Sequence, residues 1–218
     1  MPDAPEDVPN EPAHPDDSPR ARAAAALRRF GHTLMEREAD DELLERVVTA
    51  AERTIAELET APRRTRDPVR IKRQFFPQRV AEGERIVHFD ECFVSGPWNP
   101  LGIGMHAERE GDGVRATVRL GAAFEGAPGR SHGGIVAAIF DDVMGYLLTV
   151  HEVPAFTGEL TVRYLAPTPM GTELTFRSWL VHRDGRRLVT EAEAVAGERR
   201  VATASATFIE VDPARFHP

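Results

Sequence analysis

Apolar and polar positions along the 218 residues fall into three regimes. From Arg20 to about Thr60 apolar residues recur at helical spacing, first Leu27, Phe30 and Leu34, then Leu44, Val47, Val48, Ala51, Ile55 and Leu58. Asp40 or Asp41 is placed to cap the second of these segments, and Pro62 ends it. From Ile103 the period becomes two. Ile103, Met105 and Ala107 predict a strand, Gly111-Asp112-Gly113 a hairpin turn, and Val114, Ala116, Val118 and Leu120 a second strand. Four more strands are predicted further on: Thr157 to Leu165, stopped by Pro167 and Pro169; Thr172 to His182, turned by Asp184-Gly185; Leu188 to Val195; and Val201 to Ile209, with Gly197 between the last two. Between the two groups of strands lies Ser131 to Val150, where Ile135, Val136, Ile139, Phe140, Val143, Met144, Tyr146 and Leu147 leave no polar face. A helix apolar all round is expected to be buried.

Two strands, one long buried helix and four strands predict an α+β domain in which a strongly curved antiparallel sheet wraps around the helix. One sheet face then covers the helix. The other needs a cover, which the N-terminal helices or a second subunit would supply. The same helical stripe is expected to pack on the main domain or on a second copy of itself. The domain plan is an acidic, proline-rich disordered tail over 1–19, a helical arm over 20–61, a basic linker over 62–90, the main domain over 91–211 and a short tail over 212–218.

Composition narrows the function classes. A formal net charge of −8 argues against a general nucleic-acid binder. Arg63, Arg64, Arg66, Arg70, Lys72, Arg73 and Arg79 make the linker the basic part of an acidic chain, either a solvated face or a contact for ligand phosphates. The single cysteine, Cys92, excludes an intrachain disulfide and a cysteine-built zinc site, and reads as a small apolar residue rather than a nucleophile. The eight histidines are scattered, and no ligand spacing for a metal, P-loop or dinucleotide-binding glycine motif occurs. No apolar leader is seen near Met1, so a cytoplasmic protein is expected. A membrane span is not expected either, because the one long apolar helix carries Asp141 and Asp142 at its centre.

Those two carboxylates carry the chemistry. A buried charge costs several kcal/mol unless it is paired or used, so an acidic pair inside an apolar helix is a functional signal. His132-Gly133-Gly134 opens the same helix, where backbone N–H groups are unpaired, the helix dipole is positive and missing side chains allow close approach of an oxyanion.

These residues resemble a known family. Cys92-Phe93 with Gly96-Pro97 and Asn99-Pro100, then Phe124-Glu125-Gly126 with Pro128-Gly129, His132-Gly133-Gly134, Asp141, and Thr157 leading into Leu160, Val162 and Tyr164, are similar to the hotdog-fold acyl-CoA thioesterases of the PaaI-like group. Within that group the likeness is to thioesterase superfamily member four and its bacterial relatives. It spans roughly Cys92 to Ile209 and implies the hotdog fold and hydrolysis of acyl-CoA to a carboxylic acid and free CoA. Asp141 would be the catalytic carboxylate, as general base or nucleophile. The Gly133 N–H would polarise the thioester carbonyl, Thr157 would hold water or orient Asp141, and His132 would shape the pocket. Gly134, Asp142, Phe140, Arg163 and Tyr164 would contact substrate. No cofactor is implied; CoA belongs to the substrate. The site would lie at a subunit interface, making a homodimer the minimum unit and a dimer of dimers its common extension. Ser95 departs from the second cysteine of many relatives, and Gly126 stands where some hotdog proteins have asparagine.

Each assignment has a plainer reading. His132 can be a hydrogen-bonded pocket residue, Thr157 a strand residue, and the two glycines aids to helix–sheet packing. Asp142 lies about 100° around the helix from Asp141 and can serve structure while Asp141 does chemistry. Two other functions share the fold: an acyl-CoA sensor or scaffold without turnover, and a hydratase or dehydratase acting on the acyl chain.

Overall fold

The computed structural model describes residues 18–65 and 79–212. Residues 1–17 of the acidic tail, 66–78 of the basic linker and 213–218 of the C-terminal tail lie outside the described residues. Two helices come first. α1 spans Pro19–Glu36 and α2 spans Asp41–Glu59. Ser18 caps α1 by accepting from the Ala21 N–H at 3.1 Å, with proline at the first helical position. Asp40 caps α2 by accepting from the Leu43 N–H at 2.7 Å.

Six strands follow: β1 His106–Glu110, β2 Gly113–Arg119, β3 Ala155–Tyr164, β4 Glu173–Asp184, β5 Arg187–Ala196 and β6 Arg199–Glu210. They form one antiparallel sheet in the order β1-β2-β4-β5-β6-β3. Between β2 and β3 runs the central helix, α3, Gly133–Val150. The sheet bends around it, as the hotdog fold does. The first strand begins three residues later than the alternation of Ile103 and Met105 predicts; both side chains are buried, but in irregular backbone.

The core lies between the concave face of the sheet and one side of α3. Val136, Ile139, Phe140, Val143, Met144 and Leu147 meet Val114, Ala116, Leu174, Phe176, Leu188, Ala194, Ala202 and Phe208. Phe140 and Phe176 pack edge to face at 5.0 Å between centroids. Ser178, buried on β4, donates to the Val143 carbonyl at 3.0 Å and pins the helix to the sheet.

Three expectations change. The central helix is not buried all round: eight of its residues are buried, while Gly134 and Asp141 are exposed and Ala137, Ala138 and Gly145 only partly covered. A single sheet covers one side of a cylinder, and the small residues mark the other. Secondly, the outer face of the sheet carries Arg163, Trp179, Glu191, Glu193, Arg200, Thr203 and Ser205 around one shallow depression. Such a polar face is stable in water, and the arm does not cover it. Thirdly, α1 packs on the 3₁₀ turn Ala122–Phe124 instead. His32 accepts from the Ala123 N–H at 3.1 Å and sits edge-on to Phe124. Gly121 makes room for that ring, since a Cβ there would stand 2.6 Å from His32 Nδ1. α2 has no buried residue, and Leu43, Leu44, Val48, Ile55 and Leu58 stay exposed.

Phe176→Ala removes the ring that fills the space between α3 and the sheet. A loss of about 3–5 kcal/mol is expected, read by urea denaturation as a lower midpoint.

Candidate functional site

The two central carboxylates part company. Asp141 points to the exposed side of α3, where its Oδ1 accepts from Thr157 Oγ1 at 2.9 Å. Thr157 lies at a register shift in β3, between Thr157 and Glu159, where an extra residue breaks the pairing with β6. Such a bulge re-aims a side chain, and here it aims the hydroxyl at the helix. Asp142, one residue on, is turned inward. Its Oδ1 accepts from Cys92 Sγ at 3.4 Å. Burial pushes its carboxyl pKa up and nearby Asp141 adds to this, while the neighbouring Ser95 hydroxyl and the Cys92 thiol pull the other way. The Cys92 thiol is also pushed up, first by burial and then by Asp142. A thiol held protonated is a poor nucleophile, in keeping with the apolar-residue reading.

A cleft with a cavity of about 170 Å³ opens beside this pair. Asp141, Asp142, Thr157, Gly145 and Thr149 line it together with His88, Phe89 and Phe156, so the sequence-predicted Asp142 touches the cleft as well as the loop carrying Cys92. His88 was not legible as a site residue: it stands alone in a segment without period or motif. Its Nε2 lies 2.5 Å from Thr149 Oγ1, and its ring rests on Tyr146 with centroids 4.3 Å apart. Burial lowers its pKa from 6.5 to about 4, so the imidazole is neutral at physiological pH. Thr149, two turns along α3 from Asp141, shares the helix face of Gly145 and could have been found by that spacing.

The other end of α3 forms a separate recess lined by Arg130, Ser131, Gly133, Tyr164 and Thr168. His132 is the helix N-cap, and its Nδ1 accepts from the Gly134 N–H at 3.0 Å. The ring proton therefore sits on Nε2, and the Gly134 donor is already used. No hydrogen bond among the described residues takes up the Gly133 N–H, whereas the Gly133 carbonyl accepts from the Tyr164 hydroxyl at 2.7 Å.

Within one protomer the predicted residues do not converge. Eight residues of helix put Gly133 about 12 Å from Asp141 along the axis. Phe140, expected against substrate, is fully buried on the core side of α3, because position 140 faces the sheet. Arg163 lies on the outer sheet face, away from both recesses, because alternate residues of a strand face opposite ways. Thr157 and Asp141 are brought together, as are Gly133, His132 and Tyr164.

A curved antiparallel sheet around an acid-bearing helix, with a glycine-opened helix N-terminus, defines a hotdog-fold domain with a carboxylate cleft. Residues 129–203 match the Thioesterase superfamily model. A crystal structure of a thioesterase superfamily protein superposes with a TM-score of 0.75 at 27% identity, covering 88% of this chain and 96% of that one. That coverage reaches beyond the domain into the helical arm. Acyl-coenzyme A thioesterase THEM4 of Mus musculus is 30% identical over 95 residues, and that of Bos taurus 24% identical over 155. These segments are 43% and 69% of this chain but only 41% and 64% of the relatives, so less than two thirds of either is spanned.

The His88 environment has a measurable consequence. Its pKa is depressed in the fold, so between about 4 and 6.5 the unfolded chain binds more protons. The stability held above pH 6.5 is lost as pH falls through that window, to a limit of about 3 kcal/mol. Proton NMR of the imidazole should give a midpoint near 4 for His88; a midpoint near 6.5 would contradict the buried environment.

Proposed function

We propose that the protein is an acyl-CoA thioesterase, hydrolysing the thioester to a carboxylic acid and free CoA. The observation that carries this reading is the Thr157–Asp141 hydrogen bond of 2.9 Å, at the mouth of a cleft in a thioesterase-superfamily domain. The named activity of the mouse and bovine relatives supports the same substrate class.

The reacting unit is a homodimer. β3 is an edge strand whose unpaired backbone invites pairing with another chain, and it exposes Phe156 and Tyr164. The small-residue side of α3 lies open next to it. Joining two copies along this face brings the Gly133 end of one helix toward the Asp141 end of the other. The site is then shared, and a dimer of dimers adds nothing to its chemistry. The reading needs no metal or organic cofactor. A cytoplasmic location and a place in fatty acid metabolism complete it.

The steps follow from charge. Asp141 removes a proton from water while the water oxygen attacks the thioester carbonyl. The carbonyl oxygen becomes an oxyanion facing the Gly133 N–H of the partner subunit, strengthened by the positive end of α3. As the carbonyl re-forms, the C–S bond breaks and the CoA thiolate leaves with a proton from Asp141. Direct attack by Asp141, through an anhydride that water opens, uses the same residues. Thr157 fixes the carboxylate and the Tyr164 hydroxyl holds the first turn of α3. The neutral His88 and Thr149 pair, with Phe89 and Phe156, walls the cleft that takes the acyl group.

Free-thiol release from a panel of short, long and aryl acyl-CoAs tests the reading. Asp141→Asn should lower kcat by about 100- to 10,000-fold with the dimer intact by light scattering. Thr157→Val, which loses one hydrogen bond to a charged group, should cost about 10- to 100-fold. Acyl-CoA binding without release of thiol from any member would instead favour the sensor or scaffold reading, for which the exposed arm would be the effector surface.

A further inference from the structure

The loop 92–99 packs over the middle of α3, and three polar atoms meet beneath it. Ser95 Oγ, Asp142 Oδ2 and Tyr146 OH are each buried without a hydrogen-bond partner. Ser95 lies close enough to both other groups to stabilise their charged forms, short of full hydrogen-bond geometry. Asp142 Oδ1 is held by the Cys92 thiol at 3.4 Å. The loop itself is stiff: Gly96 N–H donates to the Cys92 carbonyl at 2.9 Å, Trp98 N–H to the Asp90 carbonyl at 2.8 Å, and Ile103 N–H to the Val94 carbonyl at 2.9 Å. Only glycine fits at position 96, where a Cβ would come within 2.5 Å of the Cys92 and Asp90 backbone. From the other side Arg28 of α1 grips the loop, donating to the Asn99 carbonyl at 2.7 Å and the Pro97 carbonyl at 3.3 Å.

We propose that Asp142 is a positioning residue, held by the Cys92 thiol under the Arg28-gripped loop, that with the apolar core sets the rotation of α3 and so the direction of Asp141. Adjacent helical residues are about 100° apart, so anchoring one side chain sets where the other points. Asp141 needs such an anchor: small residues, Ala137, Ala138 and Gly145, flank it on the helix, and among the described residues its hydrogen bond is to Thr157. Through the clamp the arm also acts on the reaction, since α1 reaches the reacting carboxylate by way of the loop without touching the cleft.

The proposal rests on the thioesterase reading, and its test separates the two. Steady-state kinetics and amide hydrogen exchange are measured on the full-length wild type, Asp142→Ala, Asp142→Asn and Arg28→Ala. Asp142→Ala should lower kcat by about 10- to 100-fold with KM within about two-fold, the signature of a misplaced reacting group. Asp142→Asn, which keeps shape and hydrogen bonding, should recover most of that loss. Arg28→Ala, half-buried on α1 and outside the cleft, should lower kcat in the same sense. Both alanine variants should speed exchange at Gly96 and Ile103, an outcome that reads the clamp even in a protein releasing no thiol.

The groups facing Asp142 are Asp141 and Tyr146 on α3 and Cys92 and Ser95 on the loop; His88 shares the cleft with it, and both His88 and Arg85 act on the neighbouring Tyr146. Because the folded carboxyl holds its proton to higher pH than the unfolded one, the Asp142 contribution to stability falls as pH rises above about 4, the ordinary carboxylate range, opposite in sign to that of His88. The Tm advantage of Asp142→Asn should widen in that direction. Asparagine as inactive as the Asp141→Asn variant would make Asp142 the reacting carboxylate and overturn the proposal. So would unaltered kcat in Asp142→Ala, or loop exchange untouched in both alanine variants.

Discussion

Burial of one side of α3 by a single curved sheet is the constraint from which the other features follow. Phe140, Val143, Met144 and Leu147 are taken up by Phe176, Leu188, Phe208 and the alanines of β5 and β6. Burying each large side chain contributes roughly 1.5–3 kcal/mol, and together they fix the helix axis against the sheet. A helix has more circumference than one sheet covers. The uncovered side must then be tolerable to water or be covered by something else. This chain lines it with Gly134, Ala137, Ala138, Asp141 and Gly145. Small residues keep that side open to close approach, and one carboxylate breaks it.

The carboxylate pair shows how a short shift in angle separates two environments. Asp141 has solvent and one hydroxyl; Asp142 has a thiol, a serine, a tyrosine and little water. Burial makes charge costly at Asp142. Two acids of the same type one residue apart are thereby given different surroundings by packing alone.

The separation of Gly133 from Asp141 is the other organising fact. Both lie on one rigid helix about 12 Å apart, so no side-chain motion unites them. Chemistry that needs a donor and a base on the same carbonyl therefore calls for a second helix end. In the proposed dimer the second copy would join at the open edge of β3 and the small-residue side of α3, which makes oligomerisation part of the proposed activity rather than an addition to it. The arm enters the same scheme from outside: α1 is tied through His32 to the turn that leads into α3 and through Arg28 to the loop over its middle.

How far the chain could be read before folding depends on the range of the interactions involved. Strand positions and turns were legible because alternation, Gly111-Asp112-Gly113 and Asp184-Gly185 are local signals. The helix, its glycine opening and its acid were legible for the same reason, and residue likeness named the fold. Local signals do not say which side of a helix meets a sheet. Hence Phe140 belongs to the core, and Arg163 to the outer face. His88 entered the cleft from a segment with no pattern at all, and Thr157 needed a bulge against β6 to face Asp141. By itself the sequence determined the elements, their order and the presence of an acid in an apolar helix, because those rest on neighbours in the chain. Tertiary structure alone decided which acid faces solvent, which residues share the cleft and what the arm holds, because those depend on contacts between residues distant in sequence.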